Sequence, residues 1–151
     1  MPTAQGWLYL AVVLDLYSRA IVGWAMHKRM TVQLVRDALT MALWRRGAVH
    51  GLLLHSDRGC QYAAGDYQQL WRDHGSVCCM SRTGNCYDNA AMESFCGTLK
   101  QALVHQERYA TRTAAKTSIF TYIEVFYNQP RTHSAINYQA PRVFEQHRAC
   151  A

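Results

Sequence analysis

Two carboxylates, Asp57 and Glu93, stand out for their surroundings rather than their spacing. With ten acidic residues in a chain of 151, some pair at any chosen separation is expected by chance. Asp57 follows Leu52-Leu53-Leu54-His55-Ser56 and precedes Arg58-Gly59, which places it where a buried strand ends and the chain turns. Glu93 lies in a helical stretch that opens after the capping-type pair Asp88-Asn89. A strand-end carboxylate facing a helical one is a workable cage for hard divalent cations. Taken singly, Asp57 also reads as a strand-end cap and Glu93 as a solvated helix residue. His55 suits packing better than ligation, because a magnesium site favours oxygen.

The elements that must position these groups alternate between strand and helix. Trp7–Leu14 is a β-favouring run, joined to a second, Ala20–Met26, through the polar turn Asp15–Arg19. Thr31 can cap a helix running to Arg45, with Leu34, Val35, Ala38, Leu39, Ala42 and Leu43 on one face and Gly47 as its stop. Leu52–Ser56 reads as a short buried strand, Ala64–His74 as a helix and Ser76–Met80 as a strand. A loop over Ser81–Tyr87 leads to a helix from Asn89 to about Leu103. Another runs from about Arg112 to Tyr127, with Ile119, Phe120, Ile123 and Phe126 at core spacing. Pro141 suits the first turn of a last short helix. Along the Asn89 helix, Asn89 and Glu93 are one turn apart, and Lys100 returns to within about 20° of Glu93.

Half the residues are hydrophobic, enough for one compact core, and the sequence shows no linker or repeat. A net charge of +6 and a pI near 9.1 suit a polyanionic partner. No run of about 18 apolar residues could span a membrane, and Met1–Gly6 lacks the basic start of a signal peptide. A cytoplasmic protein is the expectation. The six cysteines form no Cys-x-x-Cys pair, so free thiols are expected rather than a zinc site.

Four ordered segments resemble the catalytic core of insertion-sequence transposases, the retroviral-integrase-like group named for its Asp-Asp-Glu triad. The branch most resembled is the one whose transposase is often made by frameshifting between two reading frames. Besides the flanks of Asp57 and of Glu93 (Gly84-Asn85-Cys86-Tyr87-Asp88-Asn89 onward), Trp7–Arg19 looks like the family's second strand and hairpin. Tyr127-Asn128-Gln129-Pro130-Arg131-Thr132-His133-Ser134-Ala135, with Tyr138 and Pro141, looks like its C-terminal signature. The resemblance implies a ribonuclease-H-like α/β fold, a mixed sheet of order 3-2-1-4-5 flanked by helices. Residues 1–151 would form a single integrase-type catalytic core domain, with residues from about 128 to 151 as its C-terminal tail. The first catalytic Asp of the family falls upstream of the segment matching Met1–Gly6, so the chain is expected to lack it and the central first strand. Asp15 sits one strand too late to replace it and fits an Asx-type turn ordering Ser18 and Arg19.

The implied chemistry is phosphoryl transfer at DNA with two divalent ions, Mg²⁺ or Mn²⁺, held by Asp57, Glu93 and the absent Asp. Asn89, Lys100, Arg58, Arg82, Arg131 and His133, with Gln101, are the expected DNA contacts. Expected partners are transposon ends and target DNA, together with another copy of the chain or the full-length transposase. In the cell it would be nucleoid-associated. The segment alone is expected to be inactive, and open strand edges should promote its self-association. Two alternatives are a non-catalytic DNA-binding or dimerising fragment and a pseudogene product.

Overall fold

The computed structural model describes residues 1–47, 53–56, 77–80 and 86–149, with side-chain surroundings for 1–47 and 90–147. The expected helix Ala64–His74 and loop residues 81–85 lie outside the described residues.

A two-residue ribbon, β1 (Pro2–Thr3) and β2 (Gly6–Trp7), precedes the central hairpin of β3 (Tyr9–Leu14) and β4 (Ile21–His27). The expected strand Trp7–Leu14 is therefore broken at Leu8, which turns inward and is buried. Antiparallel pairing runs from Tyr9 opposite His27 to Val13 opposite Gly23, then shifts so that Leu14 faces Ile21. The shift leaves Val22 as an extra residue, the local kink of a β-bulge. Both faces of the hairpin are covered. Leu10, Val12, Leu14, Ile21, Trp24 and Met26 pack toward the main core, while Tyr9, Ala11, Val13, Val22 and Ala25 pack toward α1 (Val32–Arg46). Gly23 is where α1 comes closest: a Cβ there would lie 2.1 Å from the Ala38 carbonyl oxygen. Only glycine permits that approach.

The helix α1 follows its sequence pattern. Leu34, Ala38, Leu39, Ala42 and Leu43 are buried, Thr31 precedes the first turn, and Gly47 ends it at φ 71°. Thr31 makes no side-chain cap bond, so it marks the boundary without satisfying a backbone donor. Farther along, β5 (Leu53–Ser56) and β6 (Val77–Met80) pair in parallel as a second two-stranded sheet.

The helix α2 (Cys86–Leu99) starts three residues before the expected Asn89, so Asp88 and Asn89 lie inside its first turns and do not cap it. Acidic residues are favoured in the first turn of a helix as well as at its cap, which is why the sequence signal resembled a cap. A π-helical turn, Lys100–Val104, continues α2. The helix α3 (Arg112–Phe120) likewise passes into a π-helical stretch, Thr121–Tyr127. Phe120 ends the α-helical part off the face of Ala115 and Ile119, and beyond it the wider turn brings Tyr127 rather than Phe126 inward. Ala115, Ile119, Tyr122, Ile123 and Tyr127 are buried, whereas Phe120 and Phe126, expected in the core, are 48% and 47% exposed. Pro141 opens the last helix, α4 (Pro141–Ala149), as expected. No helix among the described residues is long and apolar enough to cross a membrane.

Candidate functional site

The buried side of α2 is set by Phe95, Leu99 and Leu103, which join the main core. Glu93 and Lys100 are exposed. The segment between them is α-helical up to Leu99, so the seven-residue offset keeps both on nearly one face. Lys100 then opens the π turn, closed by His105 donating its N–H to the Lys100 carbonyl at 3.0 Å. The Lys100 charge acts on Cys96 and on the Met1 amino group. Burial raises the Cys96 thiol's pKa and the ammonium opposes that rise; burial and then Lys100 lower the Met1 amine. Asn89 has its backbone within α2, one turn before Glu93. Asp57, Arg58 and Arg82 lie outside the described residues. Gln101, next to Lys100, is exposed.

Asp15 is committed elsewhere. One carboxylate oxygen, Oδ1, accepts from the Tyr17 N–H at 2.8 Å and the Ser18 N–H at 3.3 Å, the Asx-type turn expected from sequence. The other, Oδ2, receives Arg46 at 2.6 Å, and the same guanidinium reaches Glu145 on α4. One oxygen orders the hairpin turn and the other ties it to α1.

Arg131 and His133 come together at Tyr127. Both surround the ring of Tyr127, Arg131 with its guanidinium carbon 5.4 Å from the ring centre and His133 edge-on at 4.9 Å. Tyr127 in turn meets Phe95 of α2 edge-on at 4.9 Å. Asn128 fixes this segment to the hairpin: its Oδ1 accepts from the Ile21 N–H at 2.8 Å and its Nδ2 donates to the Ile21 carbonyl at 2.9 Å. That clamp brings in Arg19, a residue not singled out as a contact from sequence, held at φ 62° by the turn. Burial and the charges of Arg131 and Arg19 push the His133 pKa down. Burial pushes the Tyr127 phenol up to about 12. Arg19 Nε, Arg131 Nε and His133 Nε2 are buried without a hydrogen-bond partner among the described residues. The only local hint of Arg19 is its place beside Ser18 in a tight turn. The knot is electropositive and has polar groups left over, which suits an anionic oxygen.

A hairpin covered by helices on both faces gives the core a mixed α/β arrangement, and the comparisons with known proteins say what it is similar to. Models described as "Integrase core domain" match residues 1–86 and 74–141. The chain is 48% identical over 143 residues to transposase InsF for insertion sequence IS3A of Escherichia coli (strain K12), covering 95% of this chain and 50% of that protein. It is 46% identical over 147 residues to the transposase for insertion sequence element IS904 of Lactococcus lactis subsp. lactis (strain IL1403), covering 97% and 58%. The chain thus spans about half the length of these curated relatives. One chain of the cryo-EM structure of the simian T-cell lymphotropic virus intasome in complex with PP2A regulatory subunit B56 gamma superposes with a TM-score of 0.61 at 18% identity, over 82% of this chain and 43% of that one. This protein belongs to the integrase core domain family, and its sequence is similar to parts of insertion-sequence transposases.

Proposed function

We propose that this chain is the catalytic core segment of a transposase that cuts and joins DNA ends by phosphoryl transfer. The observation that carries the reading is the pairing of an exposed Glu93 with an exposed Lys100 on one face of α2, in a chain 48% identical to insertion-sequence transposases along 95% of its length. A carboxylate and an ammonium facing outward together can serve a metal-bound phosphodiester.

Glu93 is an exposed hard-oxygen donor and so fits a divalent cation by its chemistry. With Asp57 it would hold Mg²⁺ or Mn²⁺, two ions in the complete site, which would supply Lewis-acid activation of the attacking and leaving oxygens. Lys100 would hold a DNA phosphate beside the reacting bond, with Asn89, Arg58 and Arg82 as further contacts. Arg131 and His133 would approach the backbone from the Tyr127 knot.

We place the third carboxylate outside residues 1–151, as the order of the resembling motifs implies, and not at Asp15, whose oxygens are engaged by the hairpin turn and by Arg46 of α1. The central strand of a ribonuclease-H-like sheet would come with it. That proposal is supported by the separation of β3–β4 and β5–β6 into two sheets among the described residues. Mg²⁺-dependent joining of labelled duplex ends tests the whole reading. Residues 1–151 should show none, and a chain extended upstream should join ends and lose that activity on Glu93→Gln. Unchanged activity of the extended Glu93→Gln variant would overturn it.

A second reading, a non-catalytic dimerising segment, is favoured by one feature. Phe120, Val125 and Phe126 leave a large apolar surface on α3 and its π-helical continuation. Sedimentation of residues 1–151 distinguishes a monomer from a dimer.

A further inference from the structure

We propose that the cleft between the end of β4 and the start of α3 is a second DNA-backbone surface, built from residues other than those of the Glu93 face of α2. It deepens the proposed action on DNA and rests on it. The cleft has a volume of about 430 Å³ and is lined by Leu8, Met26, His27, Lys28, Arg29, Thr31, Arg112 and Lys116. Four of these side chains carry a fixed positive charge, and the lining contains no carboxylate. The described carboxylate beside it, Asp37, pairs with His27 at 2.9 Å. Among the described residues, no ion pair engages Lys28, Arg29, Arg112 or Lys116.

The start of α3 sharpens the argument. A helix N-terminus carries partial positive charge and is ordinarily stabilised by acidic residues. This one has none in its first turn; it begins with Arg112, and Lys116 follows one turn later. Thr111 uses its hydroxyl to cap the Ala114 N–H, so the local sequence offers no anion to the remaining charge. Arg112 is held in place, donating from Nε to the Trp7 carbonyl at 3.3 Å while its own N–H donates to Gln5 Oε1 at 3.0 Å. Leu8, 1% exposed, gives the cleft a rigid apolar floor. Cations converging without counter-charge on a preformed concave surface are matched by a polyanion, and for this chain that polyanion is the phosphate backbone of duplex DNA.

The test is the salt dependence of DNA binding by residues 1–151, read by fluorescence anisotropy between about 50 and 200 mM salt. The probes are a duplex with transposon-end sequence and one of scrambled sequence. Lys28→Ala/Arg29→Ala/Lys116→Ala should lower the slope of log K against log salt by about 2 to 3 units, equally for both duplexes, since backbone contacts carry no sequence information. Lys28→Arg/Lys116→Arg should keep the wild-type slope. Arg112 stays untouched because it also holds β2. An unchanged slope in the triple variant, with a lower slope in Lys100→Ala, would overturn the cleft and leave the proposed function standing. Absence of salt-dependent binding by the unmodified chain would overturn both. Amine acylation of the unmodified chain reads the same point independently of any folding defect. DNA should protect Lys28 and Lys116, and equal labelling with and without DNA rejects the cleft.

Discussion

The two ends of the β3–β4 hairpin are both basic, but they manage positive charge in opposite ways. At the turn end Arg46 bridges Asp15 and Glu145, Arg131 lies against the Tyr127 ring, and Asn128 bonds both backbone groups of Ile21. At the open end, where Tyr9 faces His27, Lys28, Arg29, Arg112 and Lys116 line a cleft without a carboxylate in its lining. Charge that is paired and half-buried builds structure. Charge left to solvent contributes little to stability and is available to a ligand. One hairpin therefore carries, at its turn end, charge largely tied into the fold with a few polar groups left over and, at its open end, charge left to solvent.

Breaking the support common to both ends should have the largest effect. In Gly23→Ala the new methyl meets the Ala38 carbonyl and Ala42, so α1 must move off the hairpin. Overpacking of this kind costs about 1–3 kcal/mol or more, and denaturant unfolding should show it together with weaker DNA binding. Next comes the turn end alone. Asn128→Ala leaves the Ile21 N–H and carbonyl without their partner, a loss of about 1–3 kcal/mol in urea unfolding, with the acylation pattern of Lys28 and Lys116 in the native protein unchanged.

A smaller effect sharpens the contrast through pH. His133 has its pKa held below its ordinary value of 6.5 by burial and by the charges of Arg131 and Arg19. The unfolded chain therefore binds this proton more readily than the folded one. The contribution is complete above about pH 6.5 and is lost as pH falls through the window below it, so the melting temperature should drop there. His133→Gln should flatten that part of the profile; an unchanged slope would place the pH sensitivity elsewhere. The smallest stability effect belongs to the open end. Lys28→Ala/Arg29→Ala/Lys116→Ala should shift stability by no more than about 0.5 kcal/mol per residue, since all three are exposed, while its DNA slope falls. A large loss of stability in that variant would erase the distinction between the two ends.

The local patterns were legible because periodicity and turn chemistry act over a few residues. The apolar stripe of α1 with its Gly47 stop, the Asp15 turn, Pro141 at the start of α4 and the seven-residue step from Glu93 to Lys100 are all written along single segments. The order of the motifs was enough to indicate an integrase-type transposase core, and the family matches agree. The burial of Tyr127 in place of Phe126 was not legible. It depends on a change from α to π hydrogen bonding, which composition does not signal and which rotates every later side chain. Nor could a run of residues show that Asn128 clamps Ile21 from 107 positions away, that Arg19 and Arg131 both act on His133, or that Lys28 and Arg29 line one cleft with Arg112 and Lys116. Sequence periodicity reports which face of an element is apolar; only packing of distant elements decides which charged groups meet and whether a counter-charge meets them too.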